Sequence, residues 1–283
     1  HDRAHAADHH HREHGDDEIG SHQWVDRPHR RGQQEIEEPI LIVAGLLNML
    51  VVLDAFDGAG RLTLAQIVRR TGLPRSSAHR MLERLVSMRW LHREGRDYTL
   101  GLRLMELGSL AVHQDRLHTT ALPHLQELHR VTGFVVHLAV LDGDDLVYLE
   151  KLGGRLATAV PTRIGGRRPA RSTALGKALL AYEGAPGVVY DGIREHGIAF
   201  EKEESLAGFG CIAVPVGPVG SAVAAVSLCG PLPHLRFDHR LTAPVRMAAT
   251  AIWRKLDRNH VVPTLQNRRS LRTAPSVREH QFA

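Results

Sequence analysis

The stretch from Arg61 to Arg103 constrains this chain more than any other part of it. In LTLAQIVRR the apolar Leu64, Ile67 and Val68 share one helical face, and Thr63 stands where an N-cap belongs. Thr71-Gly72-Leu73 follows as a turn whose glycine can take the positive φ that other residues resist. Pro74 then opens a second helix, where its missing N–H costs nothing. In PRSSAHRMLERLVSM, Ala78, Met81, Leu82 and Leu85 recur at helical spacing and form a core stripe. Arg75, Ser76, Ser77, His79, Arg80, Glu83 and Arg84 cover the other faces. WLHREGRDYTL reads as a hairpin, with β-prone Trp90-Leu91-His92 and Tyr98-Thr99-Leu100 joined through a loop that contains Gly95. A helix, a glycine turn, a second helix and a hairpin make a winged helix-turn-helix.

Charge agrees with that reading. The stretch holds ten arginines against Glu83, Glu94 and Asp97, so it is near +7 in a chain whose net charge is +5. Charge gathered on one small module is the footprint of nucleic-acid binding. The expected DNA-binding residues are Arg75, Ser76, Ser77, His79, Arg80 and Arg84 on the second helix, and Arg93 and Arg96 on the wing. The expected partner is double-stranded DNA, read through the major groove.

The flanking segments set the organisation. Residues 1–38 are polar, carry eight histidines and lack apolar periodicity, so they read as a disordered arm. Those histidines have neither the spacing nor the cysteine partners of a zinc site, and no metal or other cofactor is expected. ILIVAGLLNMLVVLDAF, residues 40–56, is a nearly unbroken apolar helix, stopped by Asp57-Gly58-Ala59-Gly60. Asn48 and Asp54, and a length short of ~20 residues, argue against a membrane span. It exceeds what a small winged helix can bury, which implies self-association. Residues 101–114 read as a connecting helix with Leu102, Met105, Leu107, Leu110 and Ala111 on one face, and Arg116–Val131 as another that ends at Gly133.

The second half changes period. FVVHLAVL, the turn DGDD and LVYLEKL form a hairpin, and CIAVPV, GPVG and AVAAVSL a second. Ala157–Arg163 reads as a further strand, and Ser172 or Thr173 can cap a helix through GKALLAYE. Asp238 caps a last helix that runs to about Asn259. Helices around one antiparallel sheet make an α+β domain. The expected divisions are a 1–38 arm, a 39–100 winged helix, a 101–116 linker helix, a 117–260 sheet domain and a disordered basic tail at 261–283. Aromatics are only 5%, so the core must be aliphatic. Two cysteines, Cys211 and Cys229, rule out a disulfide framework and suit a reducing, cytoplasmic setting, and no signal pattern opens the chain.

LTLAQIVRRTGLPRSSAHRMLERLVSMRWLHREGRDYTLGLRLMELG resembles the winged helix of the IclR family of bacterial transcription regulators. HLAVLDGDDLVYLEKL, RSTALGKALLA, GCIAVPV and AVSLCGP then occur in the family's order, so the likeness runs from about residue 40 to 260. The resemblance implies a GAF-like effector-binding domain, a homodimer or tetramer, and repression or activation controlled by a small molecule. The family's effector pocket matches Ala157, Val160, Ala174, Leu175, Glu201, Cys211, Ser227 and Cys229. A capped helix N-terminus there would favour an anion, and Arg163, Arg167, Arg168 and Arg171 border the same place. The expected effector is therefore a small organic acid.

Two departures bear on that expectation. The family usually has Asp where Glu201 stands and a small hydroxyl where Cys229 stands. Between Ala181 and Gly197 the chain is shorter than the family by roughly two dozen residues, a loss that loops tolerate better than sheets. The alternative to an effector-controlled regulator is thus a ligand-independent DNA-binding or architectural protein. An enzyme is not expected, because GxSxG, a P-loop, HExxH and CxxC are all missing.

Overall fold

A computed structural model describes residues 34–258, with side chains from Val43 onward. Most of the expected N-terminal arm and the basic tail lie outside the described residues. The chain divides into two compact units that meet at Arg103 and Leu104.

The first unit opens with α1 (Gln34–Asp54). It begins six residues before the apolar run at 40, so the last residues assigned to a disordered arm are helical instead. A two-residue strand β1 (Leu62–Thr63) leads into α2 (Leu64–Thr71). Thr63 caps α2 in a reciprocal capping box: its hydroxyl accepts from Gln66 N, and the Gln66 side chain accepts from Thr63 N at 2.7 Å. Gly72 ends α2 with φ 69°. Pro74 occupies the N-cap position of α3 (Arg75–Ser87), one residue before the helix proper. The wing follows as β2 (Leu91–Glu94) and β3 (Asp97–Leu100), and β3 pairs with β1 on its other edge. Val52 and Phe56 from the α1 side pack with Leu62, Ile67, Leu82, Leu85, Leu91 and Tyr98 into one core.

The opposite face of α1 is bare. Val43, Leu46, Leu47, Leu50 and Val51 are exposed, Leu46 by 58%. From Leu102 to Gln114 runs α4, which buries no residue; Leu102, Met105 and Leu110 stand exposed along it.

The second unit is a three-layer sandwich. Its six-stranded antiparallel sheet has the order β6-β5-β4-β9-β8-β7. These strands are β4 (Val135–Asp142), β5 (Asp145–Leu152), β6 (Arg167–Pro169), β7 (Ala199–Lys202), β8 (Phe209–Val216) and β9 (Ala224–Pro231). One face is covered by α5 (Arg116–Thr132) and α9 (His239–Asp257), capped by Asp115 and Asp238 as their side chains accept backbone N–H groups. The other is covered by α7 (Ala174–Tyr182) and α8 (Val188–His196). Aliphatic residues fill both interfaces, as the low aromatic content requires.

Two sequence expectations fail here. Ala157–Arg163 is no strand: a single-turn helix α6 (Gly154–Ala157) runs into a loop, and the edge strand is β6, within the arginine-rich segment read as loop. The shortened segment after Ala181 holds α8, and β7 follows it; neither was expected from the residue pattern.

Candidate nucleic-acid interface and ligand cavity

On α3 the core stripe Ala78, Leu82 and Leu85 is buried, which turns Arg75, Ser76, His79, Arg80 and Arg84 to solvent. Ser77 is half-buried at the margin. Glu83 shares the exposed surface and has two neighbours there: the His79 ring lies 3.9 Å away and the Arg93 guanidinium of the wing 2.9 Å away. Arg93 also donates to Gly95 O and lies over the Tyr98 ring at 5.6 Å. It ties the wing to α3 as much as it offers charge. Arg96 at the wing tip is exposed. Thus seven of the eight expected DNA-facing side chains present themselves on this surface, and Ser77 only in part.

The second unit holds a cavity of about 300 Å³ between the sheet, the start of α7 and the loop after α6. Of the eight residues expected to line it, seven do: Val160, Ala174, Leu175, Glu201, Cys211, Ser227 and Cys229. Ala157 does not; it packs in the cluster formed around Val135, Val160 and Cys229. Among the four arginines expected at the border, only Arg168 lines the cavity. Arg167 turns away to Asp142 and Asp145, at 2.8 and 3.2 Å. No residue between Leu175 and Glu201 lines the cavity, so the shortened segment forms none of its wall.

Alternation along the strands accounts for two of the lining residues that sequence reasoning missed, His137 and Tyr148; Pro161, Thr162, Glu204, Ser205 and Leu206 come from loops. His137 is the direct β4 partner of Ser227 on β9, so both face the cavity. That pairing joins distant segments and carries no local signal. Tyr148 is paired with Ala139 across the β4–β5 hairpin. Its register could have been counted from the DGDD turn, had the cavity-facing side been known.

The polar groups are mostly engaged. The His137 ring lies 2.9 Å from Thr162 Oγ1 through Nε2 and 3.5 Å from Ser227 Oγ through Nδ1. Burial, with Lys151 nearby, lowers its pKa to about 3, so the ring is neutral and offers one donor and one acceptor. Lys151, opposite His137 on β5, donates to the carbonyls of Val160 and Thr162, both at 2.7 Å, and pins the rim loop. Burial pushes the Tyr148 hydroxyl far above its ordinary range, so it stays a phenol. Glu201 is 3% exposed and accepts from Ser205 N at 2.6 Å. Ser205 Oγ lies 2.9 Å from Glu201 Oε2 and 3.0 Å from the Ser172 carbonyl, so its one proton serves one of them at a time. Thr173 Oγ1 caps α7 by accepting from Gly176 N at 3.0 Å. Gly176 is obligatory, since a Cβ there would stand 2.0 Å from the Ala170 carbonyl oxygen.

The fold and these two sites define a class: a winged-helix DNA-binding protein with a separate cavity-bearing α+β unit. The comparisons agree with that class in both halves. Residues 45–95 match the IclR helix-turn-helix domain, and 109–188 with 189–254 match the C-terminal domain of the bacterial transcriptional regulator IclR. The chain belongs to the IclR family of transcription regulators, a family of DNA-binding proteins rather than enzymes.

Among its relatives, the HTH-type transcriptional regulator KdgR of Escherichia coli (strain K12) is 31% identical over 74% of this chain and 90% of its own length. XynR of the same organism is 34% identical over 66% and 86%. An IclR homolog from Microbacterium hydrocarbonoxydans, solved in complex with 4-hydroxybenzoate, is 26% identical, superposes with a TM-score of 0.67, and covers 76% of this chain and 99% of its own. Thermotoga maritima IclR, at 25% identity over 76% and 99%, gives a TM-score of 0.60. No helix among the described residues is long and apolar enough to cross a membrane.

Proposed function

We propose that this protein is a cytoplasmic, homodimeric regulator whose DNA affinity responds to a small organic acid that also bears a hydroxyl or carbonyl group. The observation that carries the ligand class is the cavity's two-ended polarity. Exposed Arg168 and the start of α7 suit an anionic end, while buried Glu201 repels a second anion and suits a hydroxyl donor. Neutral His137, Ser227 and Thr162 add hydrogen-bonding capacity between the ends, among apolar walls. A relative solved with 4-hydroxybenzoate, an acid with a distal hydroxyl, supports the same chemistry.

DNA contact is assigned to Arg75, Ser76, His79, Arg80 and Arg84 with Ser77 at the edge, and to Arg96, with Arg93 chiefly holding the wing in place. One recognition helix reads too few base pairs for a specific address, so two copies are needed. The bare apolar face of α1 fits a second copy of itself.

The test selects bound fragments from host DNA, then measures affinity for the best fragment while titrating 4-hydroxybenzoate and a panel of small hydroxy acids. An acid from the panel is expected to bind and to change DNA affinity by roughly 5–150-fold, the usual range of allosteric coupling. Ala174→Trp, which places an indole in the cavity, should abolish the response and leave ligand-free DNA binding intact. If no acid binds, or binding never alters DNA affinity, the ligand-independent reading replaces this one.

A further inference from the structure

Cys211 on β8 and Cys229 on β9 are direct cross-strand partners, and both line the cavity. The ladder also fixes what kind of pair they are. Leu232 N donates to the Gly208 carbonyl at 2.9 Å, which marks a hydrogen-bonded position in the β8–β9 ladder. Hydrogen-bonded and non-hydrogen-bonded pairs alternate along antiparallel strands, so Gly210 with Gly230 is of the first kind and Cys211 with Cys229 of the second. Non-hydrogen-bonded partners bring their side chains closest, with Cα atoms about 4.5 Å apart. That lies inside the window of about 4.4–6.8 Å that a disulfide requires. Both cysteines are free, and the whole sequence contains no others.

We propose that Cys211 and Cys229 form a reversible dithiol in the cavity wall, which a small organic disulfide entering the cavity converts to an intrachain disulfide. The idea of a ligand-responsive cavity rests on the function proposed above; the dithiol itself does not. In the first step one cysteine gives up its proton and its thiolate attacks a sulfur of the reagent. The reagent's S–S bond breaks, and the departing thiolate takes up a proton. The second cysteine, deprotonated in turn, attacks the mixed disulfide and expels the other half as a thiol. One disulfide and two protein thiols become one protein disulfide and two small thiols, with two electrons passing to the reagent.

The surroundings favour this over other uses of the pair. Among the described residues no cluster of three or more His, Cys, Asp or Glu is placed to hold a metal ion. Contact with Cys229, burial and the neighbouring Glu201 hold the Cys211 thiol well above its usual range, so it rests protonated and its exchange is slow. Access through a cavity of about 300 Å³ restricts the reagent to small molecules. Oxidation draws the sulfurs together to about 2.05 Å and removes the S–H of Cys211, the cross-strand partner of Glu201. The wall that meets the ligand's hydroxyl end therefore changes, and ligand affinity falls.

The experiment treats the reduced full-length protein with bis(2-hydroxyethyl) disulfide. Intact mass, non-reducing electrophoresis and peptide mapping follow the product. The expected product has lost two hydrogens, stays monomeric in covalent terms and yields the Cys211–Cys229 linkage, and dithiothreitol reverses it. Its melting temperature rises by several degrees without any ligand. Cys211→Ser and Cys229→Ser each stop at the mixed disulfide. If 4-hydroxybenzoate binds the reduced protein, its affinity falls about tenfold or more on oxidation. Products limited to mixed disulfides or interchain cross-links overturn the dithiol. An intrachain bond with unchanged ligand affinity overturns its effect on the site. Absence of any acid binding by the reduced protein sinks only the ligand reading, since the mass and melting measurements still decide the dithiol.

Discussion

His137 gives the most quantitative expectation for the cavity. Burial holds its folded-state pKa at about 3, against an ordinary value of 6.5. As pH falls from 6.5 toward 3, the unfolded chain takes up a proton that the folded chain refuses. Stability is therefore fully present above pH 6.5 and is lost on acidification. From those two values the loss relative to pH 8 is about 2 kcal/mol at pH 5 and about 3 kcal/mol at pH 4. Those are large fractions of a domain's usual stability of about 5–15 kcal/mol. His137→Gln removes the titration and keeps an amide that can bond Thr162. Urea denaturation of both full-length proteins at pH 8, 6, 5 and 4, with hydrogen exchange read on β4 peptides, isolates the effect by difference. The wild type should lose stability more steeply than the variant, by nearly one proton between pH 6 and 4. Parallel pH profiles would refute the claim that the ring is buried and neutral.

Three further outcomes follow from the geometry. The triple variant Arg80→Ala, Arg84→Ala, Arg96→Ala should weaken DNA binding and flatten the plot of log K against log salt by about 0.9 for each phosphate no longer neutralised; unchanged affinity and slope would remove α3 and the wing from the interface. Gly176→Ala must push back the Ala170 carbonyl, since the new Cβ would stand 2.0 Å from it. The expected cost is about 1–3 kcal/mol in a chemical-denaturation series, and an unperturbed protein would show that this corner of the cavity yields freely. Leu46→Glu with Leu50→Glu should convert a dimer to a monomer in sedimentation velocity and depress affinity for a two-half-site fragment; a dimer that persists would place the interface elsewhere.

What was legible in the sequence was local. Thr63, Gly72, Pro74 and the Ala78-Leu82-Leu85 stripe each act within a turn or two of helix, so their spacing alone predicts the winged helix. The hairpins were legible for the same reason: DGDD and GPVG close them over short distances. Ala157–Arg163 misled because β-branched and apolar residues there serve a rim loop. That loop is held by Lys151 from another strand, an arrangement no short-range pattern announces. His137 and Tyr148 stayed hidden because their facing depends on how β4 meets β9, where the partner of His137 is Ser227, 90 residues later in the chain.

One irregularity in the β4–β5 hairpin shows how such long-range placement becomes chemistry. Ala139 pairs with Tyr148, yet Leu138 pairs with Glu150, which leaves Leu149 without a partner as a bulge. Strict alternation from Leu146 and Tyr148 would aim Glu150 into the cavity. The extra residue turns it to the opposite layer, where its carboxylate meets the buried His118 of α5 at 2.9 Å. The same step brings Lys151 round to the cavity side, opposite His137, to hold the rim carbonyls. Exposed Glu204 also lines the cavity but is paired with Lys177; without the bulge the cavity would gain a second buried carboxylate besides Glu201 and lose the cation that ties down its rim. A site of that kind would repel organic acids. With the bulge, the cavity keeps one buried carboxylate, one exposed guanidinium at Arg168 and a neutral imidazole between Ser227 and Thr162, which is the polarity that a hydroxy acid requires.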